Sequence, residues 1–233
     1  MKCLRSLLLL CVFAYFSALE ASYIDTHYFY DGGNHVINDD TYINDRLVVG
    51  VNDNELGPAT TLQFLTGGVT NVLTSSGSST LIIDGGTASD AIAARDSVMY
   101  FYSGSLPVGI SVGSRSTMHM YGGVTSGIHA TDQSVVHLYG GTFTSLLATV
   151  ESTVNIYGYN FNLPLGTVSD LDGTITGYLS DGTSLNAPFE RYFGGWAGNG
   201  TINLINKVPD SESTAALLGA GVAALAFARR RLG

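Results

Sequence analysis

The chain has 233 residues, of which 45% are hydrophobic and only 12% are charged, and its formal net charge is −9. Residues 22–207 hold 16 acidic and 5 basic residues, so the net charge of this stretch is 5 − 16 = −11. Phosphate binding requires clustered positive charge, and this acidic composition therefore argues against nucleic acid as a partner.

Residues 1–21 are predicted to form a secretory signal peptide, because Lys2 and Arg5 give it a positive start and an apolar run follows. Both cysteines of the chain, Cys3 and Cys11, would leave with this peptide. The exported protein would then hold no disulfide and no zinc–cysteine site. Residues 22–60 are acidic and rich in asparagine, which predicts an N-terminal cap or irregular coils that shield the first open sheet edge.

Residues 61–162 contain a repeat of about 18 residues. Glycine pairs recur at 67–68, 85–86, 122–123 and 140–141, and a paired glycine supplies the left-handed turn that follows a strand. The residue before each turn recurs with spacings of 18, 18, 19, 18 and 18, at Thr66, Asp84, Tyr102, Tyr121, Tyr139 and Tyr157.

Alternating residues before each glycine pair predict strands, since Val136 and Leu138 share one face while His137 and Tyr139 share the other. A second apolar anchor follows each turn, at Leu73, Ile92, Ile110, Ile128 and Leu146.

The repeat predicts an all-β, single-domain parallel β-helix (a β-solenoid) with coils of about 18 residues. Such a unit is too short for a βαβ crossover, so consecutive copies are expected to stack as parallel strands. Right-handed coiling is favoured, because right-handed crossovers dominate parallel β connections. An antiparallel sandwich is the alternative fold, although a sandwich would not require a fixed 18-residue phase.

Residues 163–207 lose this phase but keep strand signals, and residues 177–183 predict a hairpin. Residues 208–233 have a different composition. A short motif comes first, an uncharged Ala-, Gly- and Leu-rich run follows over residues 214–228, and a basic cluster ends the tail. The run predicts a transmembrane helix that is short for the hydrocarbon core, with the arginines on the cytoplasmic side. The motif is Val208, Pro209, Asp210 and Ser211, and the basic cluster is Arg229, Arg230 and Arg231.

This tail resembles the PEP-CTERM class of bacterial sorting signals, in its VPDSG-type variant, with Glu212 in place of the usual glycine. The resemblance implies a Gram-negative bacterium in which an exosortase, a membrane-embedded protease, recognises and removes the tail. It also implies transient anchoring in the inner membrane, followed by release to the outer surface or to an exopolysaccharide matrix.

The repeat places four tyrosines at one position of consecutive coils, where they are expected to stack on the exterior and to stabilise the coil-to-coil contacts. The same column is a candidate platform for the sugar rings of a glycan. These residues are Tyr102, Tyr121, Tyr139 and Tyr157.

Other candidate residues give weaker signals. His119 and His137 occupy the same position in adjacent coils and are interpreted as solvated histidines rather than metal ligands. The segment 170–173 resembles a calcium loop but lacks further acidic ligands. The carboxylates expected of a polysaccharide lyase or hydrolase are instead scattered over the coils, at Asp84, Asp90, Asp96 and Asp132.

The sequence therefore predicts a non-enzymatic, exported structural or adhesin-like protein, with no catalytic residue, cofactor or metal. The alternatives are a carbohydrate-binding module that uses the tyrosines, a small polysaccharide lyase or hydrolase, and an ice-binding protein. Ice binding would require flat threonine columns, and Val135 interrupts the alignment of Thr117 with Thr153.

Overall fold

The computed structural model describes residues 25–50, 58–191 and 200–208. These residues are all β and form a solenoid of about seven turns. The predicted β-solenoid is therefore confirmed, and the antiparallel sandwich is wrong. The predicted signal peptide (1–21) and transmembrane helix (214–228) lie outside the described residues, and within the described part of the chain no helix is long and apolar enough to cross a membrane.

Short strands separated by turns make up the whole described body. The strands are β1 (Thr26–Phe29), β2 (Asn34–Ile37), β3 (Arg46–Val49), β4 (Thr61–Leu65), β5 (Val69–Ser75), β6 (Thr80–Ala93), β7 (Val98–Leu106), β8 (Gly109–Val112), β9 (Thr117–Met120), β10 (Val124–Thr125), β11 (Ile128–Ala130), β12 (Val135–Leu138), β13 (Leu146–Ala148), β14 (Thr153–Tyr159), β15 (Gly166–Thr167), β16 (Asp172–Leu179), β17 (Ser184–Glu190) and β18 (Thr201–Asn206).

Face A is the side of the solenoid on which the strand before each glycine turn stacks in parallel register. His119, for example, pairs with Tyr100 in the coil before it and with His137 in the coil after it. Face A consists of β2, β4, the first part of β6, β7, β9, β12, β14 and β18.

The residues directly after each glycine turn form a narrow third side, in which Val124 pairs with Ser105 and with Thr142. Face B is built in the same way as face A, from the strand that follows this third side. Ile110 pairs in parallel with Ala91 and with Ile128 on face B. The first three strands continue this stacking, since β1 pairs with β3 and β2 pairs with β4. Face B consists of β1, β3, β5, the second part of β6, β8, β11, β13 and the end of β17.

The core lies between the faces and is filled by the inward residue of each alternating pair. On face A the pairs Met118 and Met120, and Val136 and Leu138, are fully buried, as the alternation predicts. A buried side chain of this size stabilises the fold by about 1.5–3 kcal/mol through removal of apolar surface from water. Each coil contributes only a few such side chains, so the core is complete only when coils stack.

One predicted core position is wrong. Ala91, and not Ile92, pairs with Ile110 and points into the core, while Ile92 pairs with Ser111 and is only partly buried. The connection before Ile110 is one residue longer than its counterpart one coil earlier, because Thr87 pairs with Ser105 at a spacing of 18 and Ala91 pairs with Ile110 at a spacing of 19.

The two glycines of a turn meet different requirements. Gly123 and Gly141 have φ values of 82° and 90°, a left-handed region that favours glycine. Gly140 does not have a positive φ, but a Cβ there would collide with the carbonyl oxygen of Tyr121 and with the carboxylate of Asp181. In these two turns the predicted left-handed conformation is therefore formed by the second glycine, and Gly140 is required by the close approach of the previous coil. In the earlier turns the first glycine is also left-handed, with φ values of 99° at Gly67 and 117° at Gly85.

The corner between face B and the next face A strand uses a pair of left-handed residues followed by a buried serine. In one such corner Asp132 and Gln133 have φ values of 49° and 60°, and Ser134 follows. The Ser134 hydroxyl donates to the Val112 carbonyl of the preceding coil at 2.9 Å. The same bond recurs from Ser79 to Val49, Ser97 to Ser75, Ser116 to Ala93 and Ser152 to Ala130.

Antiparallel strands cover the C-terminal end of the solenoid. The end of β17 continues face B, and β16 pairs with it as the hairpin that the sequence predicts, joined by a turn at 180–183. The short strand β15 pairs antiparallel with β18, the last strand of face A. Both β17 and β18 therefore have partners on each side, and the edge at this end passes to β16 and to the two-residue strand β15.

Candidate functional site

The tyrosine column lies on the outer surface of face A and consists of Tyr102, Tyr121, Tyr139 and Tyr157. Parallel register sets one tyrosine above the next at the strand spacing of about 4.8 Å. Their ring centroids are 5.0, 4.9 and 4.4 Å apart in successive coils, with interplanar angles of 9°, 8° and 16°. The structure therefore brings together all four tyrosines that the sequence singles out.

Within the column the ring faces are turned toward each other. Nearly parallel rings at these distances cover one another's faces. The inner rings of the column therefore present mainly their edges and hydroxyl groups to solvent. Tyr102 is the first ring of the column, and in the preceding coil Asp84 pairs with Ser103, the residue after Tyr102, at a register shift between β6 and β7. Among the described residues no ring of the preceding coil stacks on Tyr102, so its face toward that coil is not covered by another aromatic ring.

The two ends of the column differ in exposure. Tyr102 and Tyr121 are 43% and 40% exposed, whereas Tyr139 and Tyr157 are half-buried. The ammonium of Lys207 lies over the rings of Tyr139 and Tyr157, 5.1 and 5.9 Å from their centroids. This cation–π contact is a tertiary feature that the repeat does not predict, because it depends on where β18 leaves the solenoid.

A second stack runs beside the tyrosines, one alternate position earlier on each strand. His119 stacks on Tyr100 at 5.2 Å and on His137 at 4.8 Å, with interplanar angles of 13° and 8°. The histidines predicted as solvated are therefore half-buried between rings. Tyr100 was not recognised as part of a stack from the sequence, although its alternation with Tyr102 is the signal.

Burial controls the charge of these histidines. It lowers the pKa of His119, with a further contribution from the charge of His137, and burial also lowers the pKa of His137. Both rings are then neutral at pH 7, and the Nδ1 atom of His137 lies 3.0 Å from the hydroxyl of Tyr157. Burial and the hydrogen bond with Tyr157 raise the pKa of Tyr139 to about 12, so Tyr139 also stays uncharged.

The candidate acidic residues lie at separate positions around the coil. Asp84 is exposed beside the tyrosine column, Asp90 lies on face B, and Asp96 forms a bidentate ion pair with Arg115. Asp132 lies in a serine corner. The fold therefore does not assemble these four carboxylates into one site.

A positively charged side chain of the protein itself, that of Arg191, lies against the segment 170–173. Arg191 donates to the carbonyl of Asp170 at 3.4 Å and to that of Gly200 at 2.9 Å. Among the residues described, no group of three or more His, Cys, Asp and Glu side chains is arranged to hold a metal.

The first residue of each face A strand belongs to a column of β-branched side chains that contains both threonine and valine. Thr117 pairs with Val98 and Val135, and Val135 pairs with Thr153, so valines interrupt the threonines as the sequence indicates. This arrangement gives no support to a continuous threonine surface of the kind that ice binding requires.

The comparisons with known proteins identify the tail. The VPDSG-CTERM motif matches residues 207–232, so the chain ends in a PEP-CTERM-like sorting tail. No curated protein and no solved structure was found to match the chain. Together, the fold and the tail define a β-solenoid protein with a C-terminal sorting signal, which points to an exported, surface-directed protein.

Proposed function

We propose that this protein is a non-enzymatic structural or adhesin-like component of the cell surface or of an exopolysaccharide matrix. The observation that carries this proposal is the VPDSG-CTERM motif at residues 207–232, which begins on the first residue after β18. The sorting signal is thus joined directly to the folded rod, and the rod is its cargo.

Processing by an exosortase-type enzyme follows from the same tail. Residues 214–228 carry no charge and are followed by three arginines, which is the layout of a membrane segment held on its cytoplasmic side. The tail anchors the protein in the inner membrane until the enzyme removes it. The solenoid is then released to the outer surface or to the matrix.

A structural role also fits the body of the protein. Stacked coils build a rod of about 34 Å, from seven coil steps of ~4.8 Å each. Glycoside hydrolysis requires two carboxylates about 5–10 Å apart. Since Asp84 lies beside Ser103, Asp90 lies on face B and Asp96 is paired with Arg115, the rod offers little support for such a reaction.

Glycan binding is the second candidate function. It is favoured by the exposed end of the tyrosine column, where Tyr102 is 43% exposed and the carboxylate of Asp84 accepts a hydrogen bond from the next residue, Ser103. Aromatic rings provide an apolar surface with a polar edge, which suits a sugar ring with its apolar C–H face.

Expression of the full chain in a Gram-negative host, with and without an exosortase, tests the proposal. Intact mass spectrometry of the surface-released protein is expected to show the loss of most of residues 208–233 only in the host with the enzyme. A Pro209→Ala, Asp210→Ala variant, which changes the motif and leaves the rod intact, is expected to keep its tail. Recovery of the complete C-terminus in both hosts would contradict exosortase processing.

Incubation of the purified rod with acidic and neutral polysaccharides tests the enzymatic alternative. No release of reducing ends is expected. Release that disappears when Asp84 or Asp90 is replaced by Asn would overturn the non-enzymatic proposal.

A further inference from the structure

The tyrosine column already binds one ammonium group. Lys207 places its Nζ atom 5.1 Å from the ring centroid of Tyr139 and 5.9 Å from that of Tyr157. Attraction between a cation and the electron-rich face of an aromatic ring accounts for this placement. The covered end of the column therefore shows how these stacked tyrosines accept a cation.

The open end of the column has the same rings and an additional carboxylate. Tyr102 stacks on Tyr121 at 5.0 Å and leaves its other face toward the coil that carries Asp84. The hydroxyl of Ser103 donates to Asp84 Oδ1 at 2.9 Å and holds the carboxylate beside the residue that follows Tyr102 in the chain. A ring face and a fixed negative charge thus lie side by side on an exposed surface.

We propose that Tyr102 and Asp84 form a binding site for an amino sugar with a free ammonium group, as found in polysaccharides of deacetylated hexosamines. The proposal deepens the glycan-binding candidate function and rests on it. The C–H face of the sugar packs on the Tyr102 ring, and the ammonium on the adjacent ring carbon binds the Asp84 carboxylate.

The charge of the protein favours this class of ligand. Residues 22–207 carry a net charge of 5 − 16 = −11, so a positively charged polymer is attracted to the rod over its whole length. Lys207, the cation on the column, lies at the far end over Tyr139 and Tyr157, and His119 and His137 are neutral at pH 7 and do not repel an ammonium.

An amino sugar fits the site better than a lysine side chain of a partner protein. The sugar presents its apolar face and its ammonium in one rigid unit, so little conformational entropy is lost when both groups bind. A lysine brings the charge on a flexible stem and loses about 2 kcal/mol of rotamer entropy if it is fully immobilised.

Titration calorimetry with three oligomers of equal length tests the proposal on the folded rod. The probes are a glucosamine hexamer, an N-acetylglucosamine hexamer and a lysine hexamer. We expect the glucosamine hexamer to bind most tightly at neutral pH, and to lose affinity at a pH at which its amines are uncharged.

Two variants locate the site. Asp84→Asn keeps the shape and removes the charge, and Tyr102→Leu removes the ring; each is expected to weaken glucosamine binding about three- to fivefold. Tyr178→Leu is the matched control, because Tyr178 is also 43% exposed and stacks on Tyr159, far from Asp84 in the sequence. A circular-dichroism melt of each variant confirms that it is folded at the temperature of the titration.

Each other outcome overturns the inference in a distinguishable way. Equal binding of the acetylated hexamer, with the same loss in Tyr102→Leu, means glycan binding without ammonium recognition. Equal binding of the lysine hexamer, unaffected by Tyr102→Leu, means general electrostatic attraction only. No binding by any oligomer removes both this site and the glycan-binding candidate, and leaves the proposed structural role in place.

Discussion

Replacement of Asp90 by Asn is expected to stabilise the protein at neutral pH. Asp90 lies on face B between Val72 and Gly109, and its Oδ1 atom is buried without a hydrogen-bond partner among the described residues. Burial raises its pKa from 3.8 to about 6, which outweighs the opposing effects of a backbone hydrogen bond and of Arg46. Ionisation of the Asp90 carboxylate therefore costs free energy in the folded state.

The size of the expected stabilisation follows from the shift in the pKa of Asp90. The folded pKa is raised, so the stability contributed by Asp90 is fully present below pH 3.8 and is lost as the pH rises through about 6. A shift of 6 − 3.8 = 2.2 corresponds to about 3 kcal/mol as an upper bound. The amide of Asn is itself partly desolvated, which leaves an expected gain of about 1–2 kcal/mol above pH 7.

Urea unfolding of the Asp90→Asn variant and the wild type at pH values from 4 to 8 measures this effect. The difference in the free energy of unfolding is expected to be small at pH 4, to grow through pH 6 and to level off above it. Asp132→Asn, at an exposed and left-handed position that Asn also tolerates, is the control. A difference that does not change with pH, or a variant less stable than the wild type at pH 8, would refute the reasoning.

Three further predictions concern the corners of the coil, and thermal melts check them. Gly141→Val is expected to lower the melting temperature far more than Thr142→Val, at a cost of at least ~1–3 kcal/mol, since Gly141 has a φ of 90° and Thr142 is exposed; equal melting temperatures would contradict the left-handed turn. Ser134→Ala is expected to cost about 1 kcal/mol through loss of the bond to Val112, and an unchanged melt would show that the serine corner is not stabilising. Val150→Asn is expected to stabilise by ~1 kcal/mol, because a β-branched residue at a φ of 48° is strained; a lower melting temperature would argue against this strain.

The sequence was sufficient to predict the fold because its 18-residue repeat is nearly regular. The 18-residue phase and the alternation of Val136 and Leu138 with His137 and Tyr139 predict stacked parallel strands, and the stack of tyrosines follows from the same register. The tail was recognised from its motif alone.

The remaining features depend on distances that the repeat does not encode. The longer connection before Ile110 makes Ala91, and not Ile92, the partner of Ile110, and the 19-residue step between Tyr102 and Tyr121 was its sequence signal. Lys207 reaches Tyr139 only because residues between β14 and β18 leave the coil pattern and return to it. The orientation of the ring faces, which leaves one face of Tyr102 uncovered by another aromatic ring, is a property of side-chain packing.

The recurring serine corner has an evolutionary consequence. Because five successive corners present the same hydroxyl donor to the coil before them, the coils that they join are expected to be interchangeable. Deletion of residues 121–138 would join Met120 to Tyr139 and restore the pattern, whereas a deletion of nine residues would exchange one face for the other. Insertions and deletions in such a gene are therefore tolerated mainly in steps of one coil, and the length of the rod can change without redesign of its surface.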